Sequence, residues 1–253
     1  MPKPYFVAST FDIHQSDAAW TQFKVNAYQL IVEMQAKLKP WELLGGLSSI
    51  TDLPNSVLHL WRVDDPEDLV DGKRYFEESQ LFDKMMDACD APGAELLARM
   101  PYDPNFTAGG ASTQSPSPDG RFYFLWVELT LRSGAGHRAK FVKACEGLLK
   151  RMGTDLQTWK LLAAGSTVSG RPNTVVHLWR LDSANELLEG MNWFGENNPD
   201  YVALASSCLR QRQQLFTSTI YNPLGQNGKL SPDDEKHKIK FHELMVRKGT
   251  NNG

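Results

Sequence analysis

The chain has 253 residues, of which 41% are apolar and 23% charged, and a formal net charge of -3. Those values exclude a disordered or fibrous chain and offer no basic surplus for nucleic acid. Nowhere do about 18 uncharged apolar residues follow one another, and the opening MPKPYFVAST has no apolar run for a secretory leader, so neither export nor a membrane span is expected.

In chain order, YFVASTFDI reads as a strand. Phe23, Ala27, Leu30, Met34 and Leu38 then recur at spacings of three and four, which makes one apolar face of a helix. WELLGGLSSI and SVLHLWRV read as two strands joined by the turn TDLPN, and a helical region is expected from about Pro66 to Arg99. AGGASTQSPSPDG, residues 108–120, has no apolar period and reads as a linker. The same order then recurs. Phe141, Cys145, Leu148, Met152 and Leu156 repeat the helix face, and WKLLAAGSTVSGRPNTVVHLWRLD repeats WELLGGLSSITDLPNSVLHLWRVD with 12 of 24 positions identical. Leu69, Gly72 and Phe76 fall on Leu187, Gly190 and Phe194, and PYDP at Pro101 meets IYNP at Ile220.

The chain is therefore expected to be a duplication, with repeats over 1–107 and 121–222, a linker at 108–120 and a tail at 223–253. Within the tail, Ser231 as N-cap, Pro232 and a closing Lys-Gly predict a short helix. Strands flanking helices suggest α+β layers, with one sheet face of each copy left to be covered by the other copy or by a second chain, which keeps a homo-oligomer in view. The cysteines Cys89, Cys145 and Cys208 are odd in number and far apart. That spacing indicates neither a disulfide framework nor a C-x-x-C site and suits a reducing, cytoplasmic setting.

VLHLWRVD and VVHLWRLD, each followed by an acidic helical segment and a YF or WF pair, resemble the V-V-H-L-W strand of the NIPSNAP family, and PDYVALASSCLRQRQQLF is similar to that family's closing helix. The resemblance implies the dimeric α+β barrel superfamily, here as two tandem ferredoxin-like repeats forming a pseudo-dimer. That superfamily holds cofactor-free monooxygenases, isomerases and cyclases of small aromatic or polyketide substrates, haem enzymes, and members without established chemistry.

Strand alternation sorts the candidate site residues. Val7, Ser9 and Phe11, with Leu125, Val127 and Leu129, are expected to face the helices. The other face carries Thr10 in the first copy, with Trp126 and Glu128 in the second. Glu128 is a candidate general acid or base if it projects into an apolar wall formed by Trp126 and Trp179; the alternative is a carboxylate in water or paired with an arginine. His59 and Trp61, like His177 and Trp179, share one strand face, expected to lie away from the helices. Each histidine reads either as a proton-transfer or ligand group or as a buried, hydrogen-bonded structural residue. Trp61, Trp126 and Trp179 would hold substrate, with Ser48 and Ser166 supplying hydrogen bonds.

Other motifs carry less. Gly134 and Gly136 in GAGHRA read as a turn, since the first copy has no glycine there. His242-Glu243 is followed by Val246 where H-E-x-x-H needs histidine, and Asn105-Phe106-Thr107 is a sequon without a role in a reducing compartment. The leading expectation is a small-molecule enzyme with no cofactor, acting on an apolar or aromatic partner molecule by proton transfer. The alternatives are a non-catalytic NIPSNAP-like binding or scaffold protein and a haem- or metal-dependent enzyme using a histidine.

Overall fold

A computed structural model of the chain describes residues 5–38, 41–51, 55–90, 92–103, 123–156, 158–195 and 198–219. The linker at 108–120, the sequon at Asn105 and the tail at 223–253 lie outside the described residues. The fold is mixed α+β with antiparallel sheets.

The first unit contains β1 (Tyr5–Asp12), α1 (Asp17–Lys37), β2 (Glu42–Ser49), β3 (Ser56–Val63), α2 (Asp68–Glu78) and α3 (Gln80–Met86), with strands side by side in the order β1, β3, β2. Ser16 starts α1: its backbone is extended and its side chain accepts a hydrogen bond from Ala19 N at 3.0 Å, while Asp17 and Lys37 complement the helix dipole at either end. The predicted face is buried, with Phe23, Ala27 and Met34 fully enclosed, and it packs with Phe11, Val57 and Trp61 of the sheet.

The second unit contains β5 (Tyr123–Leu131), α4 (Ala135–Asp155), β6 (Lys160–Thr167), β7 (Thr174–Leu181), α5 (Asn185–Gly195), α6 (Pro199–Ser207) and β8 (Cys208–Ser218, up to Thr217 in this unit). It also takes in Ser49–Asp52 and residues from Glu95 of β4 (Gly93–Arg99), so its sheet runs β8, β5, β7, β6, β4. α4 opens at Gly134, whose φ of 111° lies where side chains are strained, which explains a glycine at that turn.

Two helix expectations are corrected. The region from Pro66 to Arg99 is α2 and α3 followed by β4, because Leu97–Arg99 pair with Gly165–Thr167 of β6. PDYVALASSCLRQRQQLF is helical only to Ser207. From Cys208 it runs as β8 along β5, where charged and amide residues with no apolar helical period keep half-exposed positions.

The two units match in two local details. Each second strand bulges just after the residue opposite the third strand's tryptophan, between Leu43 and Gly45 and between Leu161 and Ala163. Each copy carries an indole laid against a helix glycine. Trp41 Nε1 donates to Asp68 O at 2.9 Å over Gly72, and Trp159 Nε1 donates to Glu186 O at 2.9 Å over Gly190. A methyl group on Gly190 would lie 2.2 Å from Trp159 Cζ2, so only glycine admits this approach.

Candidate functional site

Register decides which side chains meet. In β1 and β3, Val7 stands opposite Trp61 and Ser9 opposite His59; in β5 and β7, Leu125 stands opposite Trp179 and Val127 opposite His177. Opposed residues of an antiparallel pair share a face. Val7, Ser9 and Phe11 face the helices as expected, and therefore so do both His-Trp pairs. The expectation that His59, Trp61, His177 and Trp179 look away from the helices is corrected. Leu58 and Leu60 lie on the opposite face, where they are buried as completely.

Each unit holds a cavity between sheet and helices. In the second unit it is about 190 Å³, walled by Val127, His177 and Trp179 from the sheet, Leu148 of α4, and Trp159, Phe194 and Tyr201. Gln211 and Gln213 of β8 add amides at one side. In the first unit it is about 180 Å³, walled by Ser9, His59, Trp61, Ala27, Trp41 and Phe76 among others. For scale, an engineered apolar cavity of about 150 Å³ takes benzene.

His177 is 4% exposed and its Nε2 lies 2.9 Å from the Tyr102 hydroxyl. Phe141 stacks on the ring and Trp179 meets it edge-on. Burial drives its pKa down to about 3, so the ring is neutral through the physiological range. The Tyr102 hydroxyl also bonds the Cys145 thiol, and burial pushes Tyr102 well above the ordinary phenol range and Cys145 up to about 12. His177, Tyr102 and Cys145 thus form a chain of three uncharged groups. His59 is 2% exposed, held among Phe11, Phe23 and Trp61, and burial lowers it to about 3 as well.

Glu128 and Trp126 occupy the other sheet face. Trp126 Nε1 donates to Glu128 Oε1 at 3.0 Å, Arg171 Nη1 donates to Glu128 Oε2, and Arg212 Nη1 stands 4.0 Å from that oxygen. Arg171 also grips Glu95 through two bonds of 2.8 Å. Glu128 is therefore an ion-paired carboxylate and not an acid set between two indoles, since Trp179 lies across the sheet. Ser166 is buried on the helix side and accepts from Arg138 Nη1 at 3.2 Å, while Ser48, opposite Val57, is half-buried; neither lines its cavity.

The sequence-derived candidates thus divide into two groups. His177 with Trp179, and His59 with Trp61, come together in cavity walls, whereas Glu128 and Trp126 do not join them. The sequence reading missed Tyr102, Trp159, Phe194 and Tyr201. Tyr102 and Trp159 had a signal, since PYDP recurs as IYNP and Trp41 recurs as Trp159, but both marked only the repeat.

Haem ligation by His177 does not fit these residues. Its Nε2 is engaged by Tyr102, and a cavity of about 190 Å³ falls below the roughly 300–1,000 Å³ of larger ligand pockets. Among the described residues no group of three His, Cys, Asp or Glu converges as a metal site, and no helix is long and apolar enough to cross a membrane.

No family model matches the chain, and no curated protein matches it in sequence. Solved structures do resemble it. A candidate monooxygenase from Lactobacillus acidophilus NCFM superposes with a TM-score of 0.58 at 8% identity, covering 86% of this chain and 96% of its own. An anthrone oxidase-like protein gives 0.58 at 10% identity over 91% and 96%. Chlorite dismutase from Candidatus Nitrospira defluvii, in a mutant form, gives 0.55 at 11% identity over 95% of each chain. The chain shares the fold of dimeric α+β barrel proteins, and at such identities the likeness is one of fold.

Proposed function

We propose that the chain is a small-molecule enzyme that binds a compact, mainly aromatic substrate in the second-unit cavity and moves a proton with His177. One observation carries this reading: a neutral, buried imidazole in the wall of an apolar cavity, with its Nε2 tied to Tyr102. If Nε2–H donates to the Tyr102 oxygen and the Tyr102 hydroxyl donates on to the Cys145 sulfur, the lone pair on Nδ1 is left to accept a proton. The burial that keeps the ring neutral also makes it a weak base. Transfer from a phenol, hydroquinone or activated methylene is uphill for the separate groups, and pairing of the resulting anion with the imidazolium inside the apolar cavity is what offsets it. Isomerisation, cyclisation and cofactor-independent oxygenation all begin with this step, and the monooxygenase and anthrone oxidase-like names of the structural neighbours lie in the same chemistry.

In this reading Trp179 and Trp159 hold the ring, and Glu128 with Trp126 serves the scaffold. The matched registers and bulges of the two copies support a tandem pair of ferredoxin-like repeats within 1–107 and 121–222. NIPSNAP-like membership, a cytoplasmic setting and homo-oligomer formation belong to the same proposal.

The experiment is turnover of a panel of phenols, hydroquinones and anthrones, followed by product mass and oxygen uptake. His177→Gln keeps an amide for Tyr102 but removes the base, and should lower turnover about 100-fold or more with binding retained. Unchanged turnover in that variant overturns the assignment. Saturable binding with no turnover of any compound favours the binding-protein reading, to which the duplicated burial of His59 already lends weight.

A further inference from the structure

We propose that the first unit carries a second small-molecule site, selective for a compact apolar molecule bearing one hydroxyl. Between β1, β3 and the helices a partly open cavity of about 180 Å³ leaves room for a guest, which would supply packing contacts that its apolar walls otherwise lack. Its wall is apolar except at one place. Ser9, half-buried, and His59 stand opposite each other in register on the cavity side and bring the hydroxyl and imidazole of this wall together. A hydroxyl in an otherwise apolar wall binds an apolar guest better when that guest brings a matching hydroxyl, because the polar atom is then satisfied. The second-unit cavity has Val127 at the equivalent position, so the two sites differ in chemistry at this one.

Access is also visible. An open groove of about 470 Å³ beside α2 and α3 is rimmed by Lys73, Glu77 and Asp83, and its floor includes Trp41, Phe76 and Phe82. The same three rings also wall the cavity, so groove and cavity adjoin at these side chains. Rotation of Phe76 or Phe82, on either side of the break between α2 and α3 at Ser79, opens the path. A ligand passing this aromatic partition places its hydroxyl at Ser9.

The test uses the full chain and two probes, 4-methylphenol and toluene, titrated by calorimetry in a background carrying Leu148→Phe to fill the second-unit cavity. One equivalent of 4-methylphenol is expected to bind. Ser9→Val, which installs the residue of the other copy, should weaken 4-methylphenol about tenfold and leave toluene within twofold. Ala27→Leu, which fills the first cavity, should abolish both. In the otherwise unaltered protein, 4-methylphenol should shift the methyl resonances of Ala27 and Ala94, so the site can be read even if a filled variant fails to fold. Unmoved Ala27 and Ala94 methyls, or equal weakening of both probes by Ser9→Val, overturn the proposal. Either result leaves the His177 reading intact, because that is measured by turnover.

Discussion

Replacing Gly190 by alanine tests how tightly the second-unit cavity wall is built. The added methyl would sit 2.2, 2.4 and 2.8 Å from Trp159 Cζ2, Cε2 and Nε1. The indole cannot retreat without giving up its bond to Glu186 O at 2.9 Å. Overpacking of this kind costs about 1–3 kcal/mol, and loss of the hydrogen bond about 1 kcal/mol. Alanine returns up to about 1 kcal/mol through helix propensity. The net is a destabilisation of about 2 kcal/mol, or a Tm lowered by about 4–8 °C for a chain of this size. Differential scanning calorimetry measures it. Gly153 of α4 is the control, since a methyl there meets nothing within 4 Å and Gly153→Ala should hold or raise the Tm. In a Trp159→Leu background the Gly190→Ala penalty should largely disappear, as it must if the two residues are coupled by contact. A Gly190→Ala protein as stable as the parent, or a penalty that persists without the indole, would refute the reasoning.

Glu128→Gln should cost about 1–2 kcal/mol through the loss of the Arg171 clamp, less than a fully buried pair because Arg171 is half-exposed, while leaving 4-methylphenol binding unchanged; a loss of binding would return Glu128 to the site. Hydrogen bonding from Arg171 holds Glu95 below the usual carboxylate range, so its contribution is present above the unfolded pKa and fades as pH falls through the folded one; thermal melts of Glu95→Gln should show a flatter acid limb than the parent. His59 and His177, with folded pKa values of about 3 against an ordinary 6.5, favour proton uptake by the unfolded chain, so stability should fall as pH drops from about 6.5 toward 3, and imidazole NMR signals of both should keep neutral-form shifts at pH 5. Cys89 and Cys208, pushed up to about 11, and Cys145, up to about 12, should resist iodoacetamide at pH 8 in the native protein; rapid labelling of Cys145 seen by mass spectrometry would contradict its burial.

The helix faces and the side of β1 toward the helices were legible in the residues, because a helix with one buried face writes its period into the sequence. β3 and β7 were not. Nearly every position of SVLHLWRV and TVVHLWRL is buried, so there is no wet face to contrast with a dry one, and hydropathy leaves the orientation undetermined. Register settles it: with Ser9 opposite His59, placing Ser9 toward the helices places His59 there too. The true neighbours of Glu128 escaped for another reason. Arg171 sits 43 positions away in a hairpin turn, and nothing in a local pattern tells a carboxylate which arginine will reach it. Tyr102, 75 positions from His177, is the same kind of miss.

The place of Tyr102 bears on how this protein can be cut. Gene fragments of duplicated proteins are usually made by dividing between the copies, and here the stretch at 108–120 invites that division. A fragment beginning at 121 would lack Glu95–Arg99, leaving β6 without its neighbour β4 and exposing unpaired N–H and C=O groups on that edge, a template for self-association. It would also lack Tyr102 and Asp103, and with them the hydroxyl on His177 and the carboxylate that accepts from Ala164 N at 2.6 Å. A fragment opening before Glu95 retains all of these, so the working module of the second half begins some 25 residues upstream of the copy that names it.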